Sequence, residues 1–158
     1  MISELLRYQL YGGNQKVSIL QEIDYLKTYI ALRKLRMSER LRLRVEFPPE
    51  LNELNIYPLL FLPLVENAFK YVGGDYQLDI IMKWENNRIS LFIRNSIPEL
   101  SAEDEALRKS VDERQRKGIG LVNLRRRLSL LYPSKHRLET RKEETEFVAE
   151  LMIEIEEI

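Results

Sequence analysis

The chain has 158 residues, 44% hydrophobic and 32% charged, with 25 basic residues balanced by 25 acidic ones. This is the composition of one soluble globular domain able to bury its own core, and a net charge of zero excludes the basic excess that nucleic-acid modules carry. The absence of cysteine excludes disulfides and thiolate metal sites. No apolar run reaches the roughly 20 residues of a membrane span, and the N-terminus lacks a signal-peptide layout. A cytoplasmic domain, or a cytoplasmic piece of something larger, is expected.

In chain order, residues 2–11 (ISELLRYQLY) carry a helical pattern closed by Gly12 and Gly13. They read as the tail of an element that begins further upstream. Ser18 and Gln21 have the spacing of a capping box. Leu20, Ile23, Leu26 and Ile30 continue that helix to about Met37. Leu41, Leu43, Val45 and Phe47 then alternate with Arg42, Arg44 and Glu46, the period of a half-buried strand, stopped by Pro48 and Pro49. Pro58 and Pro63 bracket an irregular lead-in to a helix that runs from Pro63 to about Tyr71 and stops at Gly73 and Gly74. Proline fits the first turn of a helix but costs about 3 kcal/mol inside one.

Residues 77–85 and 88–95 read as two strands joined at Asn86-Asn87, because asparagine tolerates positive φ. Residues 96–117 are highly charged and poor in large apolar side chains, the composition of a lid or a disordered segment. A further helix places Leu121, Leu124, Leu128 and Leu131 on one face, and HRLETR and TEFVAELMIEI read as a closing hairpin. No internal repeat is visible. Antiparallel strands with helices between hairpins predict an α+β fold, a two-layer sandwich with helices on one face of the sheet.

Two features carry chemistry. Glu66, Asn67 and Lys70 set a carboxylate, an amide and an amine within about one turn of a helix that is otherwise apolar. Unpaired on a buried face, the first two would each cost on the order of 1–3 kcal/mol, so a lined pocket is expected. Gly118 and Gly120 leave backbone N–H groups unshielded at a helix N-terminus, a natural anion site. Lys70 suits a phosphate as a point charge. Asn67 offers a neutral oxygen to Mg²⁺, an ion that leans on waters and phosphates for its other ligands. Together these are parts for holding a nucleoside triphosphate. A G-x-G entering a helix is by itself more often a tight turn, and GIGLVN has Asn123 where a dinucleotide fingerprint has its third glycine.

The succession ENAFK, IRNS, a lid, GIGLVNLRRRL and TEF resembles the ATP-binding domain of the GHKL superfamily, and more closely that of LytS-type sensor histidine kinases. There, a helix like residues 17–41 precedes P-L-x-x-x-P-L-V-E-N-A-x-K-H, and G-I-G-L-x-N-x-x-x-R-L-x-L-L-Y follows the lid. The resemblance covers nearly the whole chain. It implies a mixed, mainly antiparallel sheet covered on one face by helices. Residues 14–158 would be the catalytic domain and 1–13 the tail of the dimerisation and phosphoacceptor helix. It implies ATP and Mg²⁺ as cofactors, with Asn67 as the metal ligand and Glu66 beside it as the residue that orients or activates the attacking imidazole. Lys70, Tyr71, Asn95, Gly118, Gly120, the Leu121 amide, Asn123 and Thr145 would contact the nucleotide.

The implied activity is transfer of the ATP γ-phosphoryl to a histidine upstream of this chain. The implied partners are the phosphoacceptor helices of the same protein and a response regulator, LytTR-type regulators among the candidates, with no nucleic acid. The full-length protein would be a homodimeric, membrane-anchored bacterial receptor with this domain in the cytoplasm. Three positions depart from the pattern. Asn95-Ser96-Ile97 replaces Asp-x-Gly, Tyr71 replaces a histidine, and Glu144 replaces a glycine. They leave open a second reading, a non-catalytic nucleotide-sensing or docking module of the same fold. The single histidine, His136, lies in YPSKHRL, unlike an acceptor run, and is expected at the surface.

Overall fold

The computed structural model describes residues 15–49, 51, 54–98 and 119–155. In chain order these form β1 (Val17–Ser18), α1 (Ile19–Arg36), β2 (Arg42–Glu46), β3 (Asn55–Ile56), α2 (Leu62–Tyr71), β4 (Gln77–Glu85), β5 (Arg88–Ser96), α3 (Ile119–Leu131), β6 (His136–Lys142) and β7 (Glu146–Glu154). The expected helix over 2–11, Gly118 and residues 99–117 of the expected lid lie outside the described residues.

The main sheet has the order β2-β4-β5-β7-β6. Its period of two sorts the side chains. Leu78, Ile80 and Met82 stand beside Asn95, Ile93 and Leu91, which stand in turn beside Phe147, Ala149 and Leu151. All nine are buried. Ile19, Ile23, Leu26 and Ile30 of α1, Leu64, Val65, Ala68 and Phe69 of α2, and Leu121, Leu124 and Leu128 of α3 join them in one core. The helices therefore cover one face of the sheet, as the sequence pattern predicts. The other face is laced by arginine–carboxylate pairs: Arg94 with Asp79 and Glu146, Arg141 with Glu143 and Glu150, and Arg137 with Glu139.

Local chemistry explains the element ends. The Ser18 hydroxyl caps α1 by accepting from the Leu20 N–H. Pro63 sits in the first turn of α2, where its missing N–H costs nothing. Asn86 and Asn87 have φ of 53° and 60°, the left-handed pair that a two-residue hairpin between β4 and β5 requires. Two features differ from the pattern reading. β2 pairs with β4 in parallel, and β3 with α2 forms the crossover that a parallel pair needs. β1 and β3 make an antiparallel ladder of only two residues each, too short to show a period in sequence.

Candidate functional site

Helix α2 buries Leu62, Leu64, Val65, Ala68 and Phe69. The opposite stripe is Pro63, Glu66, Asn67, Lys70 and Tyr71, spaced i, i+3, i+4, i+7, i+8, so these five share one face of the helix. Glu66 and Lys70 are exposed and Asn67 and Tyr71 half-buried. Among the described residues the Asn67 carboxamide has no hydrogen-bond partner, so its oxygen is free for a ligand. The Lys70 ammonium lies 5.3 Å from the centroid of the Tyr71 ring, a cation–π contact that holds the charge on the same stripe.

Two residues of α1 pack on Phe69, at the buried face of α2, and act electrostatically on Glu66 at the edge of the stripe. The Arg33 guanidinium lies 5.6 Å from the Phe69 ring centroid, and the Tyr29 ring meets Phe69 edge-on at 6.4 Å. Among the described residues the buried Arg33 Nε has no hydrogen-bond partner. Partial burial raises the Glu66 carboxyl above its ordinary value, and Arg33 opposes the rise. The Tyr29 phenol is raised by burial and then by the Glu66 charge. The charges of Glu66 and Arg33 and the Tyr29 phenol therefore act on one another, a grouping that sequence reasoning missed. Its signal was present: Tyr29 and Arg33 both lie on the stripe of α1 that carries Ile19, Ile23, Leu26 and Ile30.

The front of α2 meets α3. A Cβ built on Gly120 would lie 4.0 Å from the Pro63 Cβ, an ordinary contact. The first turn of α3, whose leading N–H groups have no partner within the helix itself, therefore begins beside the start of the polar stripe. Leu121 points its side chain into the core and Asn123 is exposed.

The back of α2 meets the ends of β5 and β7. The Gly73 N–H donates to the Ser96 carbonyl at 2.9 Å, and the Ser96 hydroxyl donates to the Gly73 carbonyl at 2.6 Å while accepting from the Gln77 N–H at 2.8 Å. The Ile97 N–H donates to the carbonyl of Thr145, whose side chain is exposed in the β6–β7 turn. Asn95, opposite Phe147, and Thr145, bonded to Ile97, thus lie near each other along the adjoining ends of two paired strands. Asn95 is 1% exposed and faces the helices, between Leu78 and Phe147. The glycine absent at position 97 has a counterpart across the turn. Gly74 has φ +62°, and a Cβ there would lie 2.7 Å from the Ile97 carbonyl oxygen. The close backbone approach is made from the other side.

His136 is half-buried, and its Nδ1 lies 2.7 Å from the Tyr132 carbonyl oxygen. That pairing draws the ring inward from the surface position expected of it. Among the described residues there is no group of three or more His, Cys, Asp or Glu side chains that could hold a metal ion. No described helix is long and apolar enough to cross a membrane.

Residues 1–41 match a family model described as histidine kinase. The sensor protein kinase HptS of Staphylococcus aureus is 28% identical over 142 residues, which are 87% of this chain and 27% of that protein. The chain thus spans about a quarter of the length of the curated relatives it matches. Among solved structures, the catalytic domain of histidine kinase ThkA in a nucleotide-free form matches with a TM-score of 0.55 and 17% identity, over 89% of this chain and 96% of that one. The full-length histidine kinase ShkA, solved with AMPPNP, matches with a TM-score of 0.57 and 14% identity, over 89% of this chain and 31% of that one. The mixed sheet covered by helices is the fold of histidine kinase catalytic domains.

Proposed function

We propose that this chain is the ATP-binding catalytic domain of a sensor histidine kinase, of the LytS type, and that it transfers the ATP γ-phosphoryl to a histidine outside residues 15–155. The observation that carries this reading is the polar stripe of α2. A carboxamide without a hydrogen-bond partner among the described residues, a carboxylate and an ammonium lie on one helix face, with the first turn of α3 at its front and the strand ends that carry Asn95 and Thr145 at its back. The relatedness to sensor kinases along 87% of the chain supports it, as does the nucleotide analogue bound by ShkA.

The residues fit Mg²⁺-bound ATP. A single neutral oxygen at Asn67, without a carboxylate cage, suits a cation that keeps its waters and relies on phosphates. Bound in this way, Mg-ATP supplies the transferable phosphoryl group and its leaving group. Lys70 offsets phosphate charge, and the first-turn amides of α3 at Gly120 and Leu121 receive anionic oxygens. Glu66, made more basic by partial burial, orients the incoming imidazole by accepting from its distal ring N–H. Asn95 would meet the adenine amino group through its amide oxygen, a neutral acceptor and so a weaker one than the carboxylate it replaces. The proposed partners are the phosphoacceptor helices of the same protein, in a membrane-anchored homodimer, and a response regulator, with LytTR-type regulators a natural class.

One observation favours the second reading, a docking or sensing module. Asn95 is buried, and Ser96 ties the strand end to Gly73, which narrows the wall where an adenine would sit. Incubation with γ-labelled ATP separates the two. The 158-residue chain alone acquires no label, whereas it labels a histidine of the phosphoacceptor helices when these are joined to it. Label on His136, or none with the helices present, contradicts the kinase reading.

A further inference from the structure

The lead-in to α2 is held in an unfavourable shape. Leu59 has φ +62°, a left-handed backbone that a bulky L-residue rarely adopts. Both of its main-chain groups are gripped from other helices. Its N–H donates to the Glu22 carboxylate of α1. Its carbonyl accepts from the Arg127 guanidinium of α3 at 3.4 Å. Two residues earlier, the Tyr57 N–H donates to the Tyr132 hydroxyl at 3.1 Å, with the two rings edge-on at 5.6 Å.

Glu22 is 2% exposed, although it sits in the apolar stripe of α1. Burial lowers the Arg127 guanidinium from its ordinary value, and the Glu22 charge works against that fall. A buried carboxylate is costly unless paired and hydrogen-bonded, and packing alone gives no reason for one here. The grip on Leu59 does.

We propose that Glu22 and Arg127, which hold Leu59 left-handed, and Tyr132, which holds Tyr57 two residues earlier, are positioning residues for the nucleotide stripe: together they set where α2 begins, and so where Asn67 and Lys70 stand relative to the first turn of α3. The proposal rests on the nucleotide reading of that stripe. It also ties α1 and α3, which carry no residue of the polar stripe, to the geometry of α2. A helix displaced at its first turn carries its whole face with it, because the helix interior is rigid on the scale of an ion contact.

The test uses the strain. Titrating Mg-ATP into the 158-residue chain, Glu22→Ala weakens binding about tenfold, the factor corresponding to a left-handed leucine left unsupported. Leu59→Gly adopts φ +62° without strain, so adding it to Glu22→Ala restores affinity to within about twofold while the melting temperature falls further, since the leucine side chain is lost. A merely structural role for Glu22 would show no such rescue. Should Glu22→Ala fail to fold, Glu22→Gln gives the same pattern on a smaller scale, about threefold, because a neutral acceptor replaces a charged one. Hydrogen exchange at the Val65–Ala68 amides, read without nucleotide, reports the clamp separately: faster in Glu22→Ala, restored in the double variant. Unchanged exchange and affinity in Glu22→Ala, or a double variant as impaired as the single one, overturns the proposal. If the exchange pattern holds while wild type binds no nucleotide, the clamp stands and the nucleotide reading falls.

Discussion

Two glycines flank helix α2, and they are there for different reasons. At Gly74, behind the helix, φ is +62° and an added Cβ would meet the Ile97 carbonyl oxygen at 2.7 Å. No other residue fits without moving backbone. At Gly120, in front of it, φ is not left-handed and an added Cβ would rest 4.0 Å from Pro63. The fold tolerates a side chain there. The glycine that folding requires is therefore separable from the one that folding would permit to be replaced, and the second is free to serve a ligand that needs bare backbone.

The contrast is broken most forcefully at Gly74. Gly74→Val combines a forbidden backbone with a clash and should cost about 3 kcal/mol, seen as a melting temperature lower by roughly 10 °C. A fall of less than about two degrees would show that the turn relaxes freely. Ser96→Ala acts on the same corner through hydrogen bonds alone. It strands the Gln77 N–H and removes a bond to Gly73, for about 2 kcal/mol in urea unfolding.

Gly120→Ala should do the reverse to stability. It improves helix propensity by about 0.5–1 kcal/mol, so the protein melts a few degrees higher, while Mg-ATP affinity falls several-fold as the amides lose access. Higher stability with unchanged affinity would remove Gly120 from the site. The smallest effect is at Glu66. Its folded carboxyl is raised by burial, so the folded state binds the proton more tightly than the unfolded one. Stability therefore declines as pH rises from the ordinary carboxyl value through the raised one, and above it the ionised form carries the penalty. Glu66→Gln flattens that decline and is slightly more stable near neutrality, which paired melting curves across pH would reveal.

Much of this arrangement was legible in residue order. The period-two runs gave β4, β5 and their Asn-Asn turn, and Pro63 gave the start of α2 to within one residue. The spacing of Glu66, Asn67 and Lys70 is enough by itself to put the three on one face of a helix. Asn95 shares parity with Ile89, Leu91 and Ile93, so its burial was implied by the same alternation that defined the strand.

What could not be read was pairing at a distance. Nothing local tells β2 to lie parallel to β4 across β3 and α2. Glu22 stands in the sequence as an odd carboxylate among Ile19, Ile23 and Leu26. Its partner has no such mark: the Leu59 N–H lies 37 residues away, and the Leu59 carbonyl reaches Arg127 68 residues further on.

The most direct measurement is titration calorimetry of ATP into the wild-type chain and Asn67→Ala, with and without Mg²⁺. Wild type should bind, more tightly with Mg²⁺ than without, and Asn67→Ala should lose the Mg²⁺-dependent increment, about tenfold in affinity for one lost metal contact, while melting as wild type does. Binding by neither protein, or equal Mg²⁺ enhancement in both, would contradict the assignment of this helix face to a metal-bound triphosphate.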